Sequence, residues 1–81
     1  MKNKIISGYN ITIKHGYTDK EIDKVCNIAF QSGKDKCGCG FHQNGVSSFY
    51  IYGKFSDMVR VYSALKNNGY KPAVTRGVDD D

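Results

Sequence analysis

A chain of 81 residues, 40% hydrophobic and 25% charged, has room for one packed domain and not for two. The formal charge of +4 conceals an asymmetry: Asp79, Asp80 and Asp81 supply three of the eight acidic residues, so residues 1–78, with 12 basic and five acidic side chains, carry a net +7. That balance excludes a disordered, weakly hydrophobic chain, and no run approaches the roughly 20 apolar residues of a membrane-spanning helix.

In chain order, Tyr9-Asn10-Ile11-Thr12-Ile13-Lys14 alternates apolar and polar residues, the pattern of a half-buried strand with Tyr9, Ile11 and Ile13 turned to the core. Thr18-Asp19-Lys20-Glu21 has the form of a capping box. Ile22, Val25, Cys26, Ala29 and Phe30 follow at the spacing of one helical face, and Gly33 is the expected stop. Asn44-Gly45 lies between two strand-like runs, Cys37 to Gln43 and Val46 to Gly53. This dipeptide suits a type I′ hairpin turn because both central residues need positive φ. Ser56 is the expected cap of a second helix with the apolar stripe Met58, Val61, Tyr62 and Leu65, which Gly69 ends. Tyr70 to Arg76 reads as an edge strand, since Pro72 cannot donate to a central ladder.

The order strand, helix, strand, strand, helix, strand predicts an α+β domain of ferredoxin-like βαββαβ type, with two helices on one face of a four-stranded antiparallel sheet. Each crossover is long enough for the right-handed connection that parallel neighbours require. Residues 1–78 form the expected domain and residues 79–81 an acidic tail. Met1 to Asn10 has a basic start without an apolar signal-peptide core, and the three cysteines are an odd number. The expectation is a cytoplasmic protein without a membrane partner or a disulfide framework.

With a two-residue turn, Gln43 faces Val46, and counting back sets Phe41 against Ser48, Cys39 against Tyr50 and Cys37 against Tyr52. Phe49 and Ile51 then belong to the core, with Gly38 and Gly40 across from them allowing the helices to approach. The helix-free face is expected to carry Cys37, Cys39, Phe41, Tyr50 and Tyr52 beside Asn10, Thr12 and Lys14. A register slip of one residue through a bulge is the competing arrangement.

A sheet face bearing aromatic rings among lysines suits nucleic acid, because rings stack on bases and ammonium groups meet phosphates. Tyr50 and Tyr52 occupy positions at which RNA-recognition domains carry their stacking aromatics. The resemblance is one of architecture: Gly45-Val46-Ser47-Ser48-Phe49-Tyr50-Ile51-Tyr52 lacks the basic-glycine opening of that family's motif, and the first strand offers Asn10 and Thr12 where a second aromatic is expected. The expected interface comprises Lys14, Phe41, Tyr50, Tyr52, Lys54 and Arg76, with single-stranded nucleic acid or an acidic protein surface as partner. Lys36 is a further candidate for a phosphate contact.

Cys37, Cys39 and His42 place three zinc-ligand types within six residues. Strand parity nevertheless turns His42 away from the two cysteines, so no metal and no cofactor is assigned. Acylphosphatases share the split βαβ order, but their anion loop supplies an arginine that His15-Gly16-Tyr17-Thr18 lacks. His15 and His42 have no carboxylate or nucleophile nearby in sequence, and no P-loop or Rossmann glycine pattern occurs, so the chain is not expected to be an enzyme. The alternative function is a phage- or mobile-element-type protein that binds and modulates a host factor, a reading suggested by abundant lysine, asparagine, isoleucine and tyrosine. In that reading the sheet face or the Cys37 to Gln43 edge docks the partner or pairs with a second copy in a homodimer.

Overall fold

The alternation at the start of the chain produces strand β1 (Tyr9–Lys14), in which Ile11 and Ile13 are buried. In this computed structural model, which describes residues 8–76, β1 is followed by helix α1 (Asp19–Gly33). The Thr18 hydroxyl caps α1 by accepting from the Glu21 amide at 3.2 Å, and Asp19 and Glu21 in the first turn oppose the helix dipole. A short 3₁₀ turn (Lys34–Lys36) leads into β2 (Cys37–Gln43).

Gly33 does not terminate α1 by adopting positive φ. It remains right-handed and buried, while Lys34 takes the positive φ, at φ 54° and ψ −125°. The need for glycine at 33 is spatial: a Cβ there would lie 2.5 Å from Cys37 Cβ and 3.1 Å from Val61 Cγ2.

Asn44 (φ 53°) and Gly45 (φ 75°) form the turn between β2 and β3 (Val46–Ile51), both in the left-handed region that a type I′ hairpin demands. Helix α2 (Phe55–Asn67) begins two residues earlier than a Ser56 cap implies. Lys54 is its N-cap, and the Asp57 carboxylate accepts from the Lys54 amide at 2.8 Å. A lysine side chain has no acceptor with which to complete the reciprocal bond. At the other end, Gly69 (φ 93°) donates to Lys66 O and Tyr70 donates to Leu65 O, both at 3.1 Å, which is the Schellman closure expected of a glycine there. The last described strand, β4 (Ala73–Arg76), starts after Pro72 rather than at Tyr70.

The described strands form one antiparallel sheet in the order β2-β3-β1-β4. The expected total of four strands concerns the whole chain and extends to residues outside those described, as does the expected acidic tail at 79–81. Strands β1 and β2 run parallel but flank β3, so the crossovers join strands that are not neighbours.

One sheet face carries Ile11, Ile13, Phe49 and Ile51. These pack with Val25 and Ala29 of α1 and Met58, Val61 and Leu65 of α2 into a single core. Each fully buried large aliphatic or aromatic side chain contributes about 1.5–3 kcal/mol relative to exposure. Arg60 ties the helices together at their surface by donating from Nε to Ser32 O at 2.5 Å.

The hairpin departs from simple two-residue counting. Gln43, His42 and Phe41 pair with Val46, Ser47 and Ser48 as expected, but a bulge between Cys39 and Phe41 then shifts the ladder. Cys39 pairs with Phe49, Gly38 with Tyr50 and Cys37 with Ile51. The cysteine positions therefore belong to the helix-covered side, and Gly38 to the other. Gly40 supplies the extra residue, and a Cβ there would come within 2.8 Å of Ser48 O.

Candidate nucleic-acid interface

Tyr50 and Tyr52 project from alternate positions at the end of β3, their rings 4.8 Å apart and edge-to-face at 69°. Tyr52 is 58% exposed. It lies over Gly38, where an added Cβ would meet its hydroxyl at 2.5 Å, so a side chain on β2 would displace the ring. The Tyr52 amide donates to Lys36 O at 2.8 Å and holds this end of the hairpin to the 3₁₀ turn. Tyr50 is half-buried: Asn10 pairs with it, and the Gly8 backbone approaches its hydroxyl so closely that any β-carbon would overlap it.

The remaining expected residues divide between the two ends of the sheet. Lys54 immediately precedes Phe55, which is 63% exposed, at the start of α2. Phe55 packs edge-to-face on Tyr9 at 6.1 Å, and the guanidinium of Arg76, paired with Tyr9 across β1 and β4, lies 5.3 Å from the centre of the same ring. Arg76 is thus on the helix side of the sheet, held by a cation–π contact, and not on the open face. Tyr9 pairs with both Ile51 and Arg76, so Tyr9, Tyr52 and Arg76 lie at the same end of the sheet, Tyr52 on the open face over Gly38 and Tyr9 with Arg76 and Phe55 on the helix side, and Lys54 precedes Phe55 in the chain.

Lys36 and Arg60 add positive charge nearby. The Asp57 carboxyl is held below its usual range, first by the hydrogen bond from the Lys54 backbone, then by Arg60, 3.1 Å away, and by the charge of Lys36.

Lys14 is not part of this group. It pairs with Val46 at the opposite end of β1, roughly 17 Å away by strand rise. There it lines a pocket of about 390 Å³ with Thr12, Ile13, Tyr70, Lys71 and Ala73. Phe41 pairs with Ser48, and its side chain lies outside the described set.

Phe55 and Tyr9 are the aromatic residues that sequence reasoning overlooked. The adjacency of Lys54 and Phe55 ahead of the α2 stripe was a usable signal for Phe55. Tyr9 offered none, because strand alternation assigned it to the core.

A second cluster lies at the hairpin-turn end of the sheet. The Ser47 side chain is fully buried, and its Oγ is 2.6 Å from His42 Nδ1 and 2.6 Å from His15 Nε2. His42 Nε2 is 3.4 Å from Cys26 Sγ, and His15 Nδ1 is 2.7 Å from Gly16 O. The His15 amide donates to Gly45 O at 2.8 Å, seating the ring beside the turn. Two expectations change here. Cys26 is half-buried on the flank of α1 and contacts His42 instead of disappearing into the core. The bulge also places His42 on the same ladder side as Cys37 and Cys39, which removes the parity objection to a shared site. Among the described residues, however, no three His, Cys, Asp or Glu side chains are grouped so as to hold a metal ion.

No helix among the described residues is long and apolar enough to cross a membrane. No protein-family model matches the chain, nor does any curated protein or solved structure.

Proposed function

We propose that the chain is a ferredoxin-like α+β domain that acts in the cytoplasm by binding single-stranded nucleic acid, without catalysing a reaction. The observation that carries this reading is the exposure of Tyr52 and Phe55, 58% and 63%, on either side of Lys54 at one end of the sheet. Exposed rings offer faces on which unpaired bases stack, at about 1–3 kcal/mol per base, while Lys36, Lys54 and Arg76 meet the phosphates. The proposed interface is the end of the sheet that carries Tyr52 together with the start of α2 at Lys54 and Phe55, not the whole helix-free face. The net +7 of residues 1–78 supports association by long-range steering.

Fluorescence anisotropy with labelled oligothymidylate and oligouridylate, repeated across a salt series, tests the reading. Saturable binding is expected, with log affinity falling linearly in log salt. Tyr52→Ala and Phe55→Ala are each expected to weaken binding by about 5- to 150-fold, the equivalent of ~1–3 kcal/mol. Full affinity in a folded double variant refutes the interface. No binding by the wild-type protein at near-physiological salt refutes the function and directs attention to an acidic protein surface.

A further inference from the structure

Cys26, His42, Ser47 and His15 come from α1, β2, β3 and the end of β1, and they form an unbroken chain of polar contacts that the binding reading does not use. The direction of every proton in it follows from one end. Gly16 O can only accept, so His15 Nδ1 carries the hydrogen in the 2.7 Å contact. A neutral His15 ring then has an acceptor at Nε2, and the Ser47 hydroxyl donates to it at 2.6 Å. Ser47 has spent its only hydrogen, so His42 Nδ1 must donate to Ser47 Oγ, also at 2.6 Å. That leaves His42 Nε2 as an acceptor facing Cys26 Sγ at 3.4 Å, where the thiol hydrogen donates. His42, Ser47 and His15 each give one proton and receive one, so the protons of Cys26, His42 and Ser47 can each shift by one position without moving a ring, while the His15 Nδ1 proton stays in its bond to Gly16 O.

We propose that Cys26 is a base-assisted thiol, reversibly modified by small disulfides, with His42 as the base and Ser47 and His15 positioning and relaying for it. As Cys26 Sγ attacks one sulfur of R–S–S–R, its proton passes to His42 Nε2. The His42 Nδ1 proton moves to Ser47 Oγ, and the Ser47 proton moves to His15 Nε2. The reagent's S–S bond breaks and the Cys26–S–S–R bond forms. Cys26 is oxidised, and the departing sulfur is reduced to a thiolate. His42 Nε2 then returns the proton to that thiolate, giving R–SH, and the chain resets. The products are one mixed disulfide and one thiol, with no further reactant needed. A nucleophile whose base is itself oriented by a third group has the organisation that activates thiols elsewhere. Positive charge ends on half-buried His15, nearer to water than fully buried Ser47.

The test is timed reaction of the full-length protein with glutathione disulfide, acid quenching, and mass-spectrometric mapping of the modified cysteines. Cys37, half-buried and packed beside Gly33, is the reference thiol and reports on general accessibility within the same molecule. Cys26 is expected to form the mixed disulfide at least about tenfold faster than Cys37, a conservative value for general-base assistance. His42→Gln and Ser47→Ala are each expected to reduce the Cys26 rate by about tenfold or more while leaving Cys37 unchanged. Equal rates at Cys26 and Cys37 in the wild type, or an unchanged Cys26 rate in Ser47→Ala, overturn the proposal.

If a variant unfolds, Cys37 accelerates as well, and the decision passes to the wild-type protein. Nitrogen-15 NMR of the imidazoles then reads the tautomers directly. Both rings are expected to carry hydrogen on Nδ1, and a neutral Nε2–H tautomer at either one overturns the relay.

Discussion

Replacing Gly33 by alanine sets two sizeable effects against each other. Its backbone, at φ −86° and ψ −18°, is right-handed, so alanine fits the conformation and gains about 0.5–1 kcal/mol by restricting the unfolded chain. Against this, the new methyl lies 2.5 Å from Cys37 Cβ and 3.1 Å from Val61 Cγ2, where carbon atoms prefer about 3.5–4.0 Å. Neither neighbour yields cheaply. Cys37 Cβ is fixed to the β2 backbone, and Val61 is β-branched and fully buried. The end of α1 must therefore move away from both β2 and α2, and overpacking of this kind costs about 1–3 kcal/mol. The clash wins, with a net loss on the order of 0.5–2 kcal/mol. For a domain of this size that lowers Tm by about 4–8 °C per kcal/mol.

Reversible thermal unfolding followed by far-ultraviolet circular dichroism measures the effect. Gly69→Ala is the control for conformation alone: at φ 93°, with no atom within 4 Å of an added Cβ, it is expected to lose about 1–2 kcal/mol without any clash. A Gly33→Ala variant with Tm equal to or above that of the wild type refutes the argument, because helix propensity would then outweigh the contact with Cys37 and Val61.

Thr18→Ala removes the hydroxyl that accepts from the Glu21 amide and is expected to cost about 1 kcal/mol in urea unfolding; an unchanged midpoint would show that water replaces the cap without loss. Tyr70 provides a pH signature. Its hydroxyl donates to Glu21 Oε1 at 3.2 Å, and its pKa is raised above 10.0, first by burial, then by the Glu21 charge and this hydrogen bond. A raised folded pKa contributes stability that is complete below the unfolded value of 10.0 and is lost as pH rises through the folded value. Tyr70→Phe is expected to remove that alkaline loss, and Glu21→Gln to lower the phenol pKa only in part, because burial remains. Ultraviolet difference titration of the phenol combined with stability curves checks both, and an identical alkaline unfolding profile for Tyr70→Phe would contradict the assignment.

The elements legible in the sequence are those whose causes are local. Alternation over Tyr9 to Lys14, the Thr18 cap, the helical spacing of the α1 and α2 stripes, the Asn44-Gly45 turn and the Gly69 closure each depend on steps of about four positions or fewer, and all appear in the structure, although Phe30 at the end of the α1 stripe is exposed. The grouping of residues at the candidate interface was legible only in part. Tyr52 and Arg76 do lie at one end of the sheet, with Lys54 beside Phe55 in sequence and Arg76 and Phe55 both on Tyr9, whereas Lys14 lies at the opposite end of β1.

What the tertiary structure alone decided is the bulge at Gly40 and everything that follows from it. Regular counting from the turn would set Gly40 and Gly38 against Phe49 and Ile51, leaving the helix side without β-carbons where α1 packs on β2. Slipping by one residue brings Cys39 and Cys37 to those positions and moves Gly38 beneath the Tyr52 ring. The cost of one interrupted ladder step is weighed against filling a core, and that comparison involves both helices at once. The Cys26–His42–Ser47–His15 chain is also completed by tertiary structure. Counting from the Asn44-Gly45 turn already sets His42 against Ser47, five positions on, but Cys26, 16 positions from His42, and His15, 32 positions from Ser47, join them only in the assembled sheet and helix.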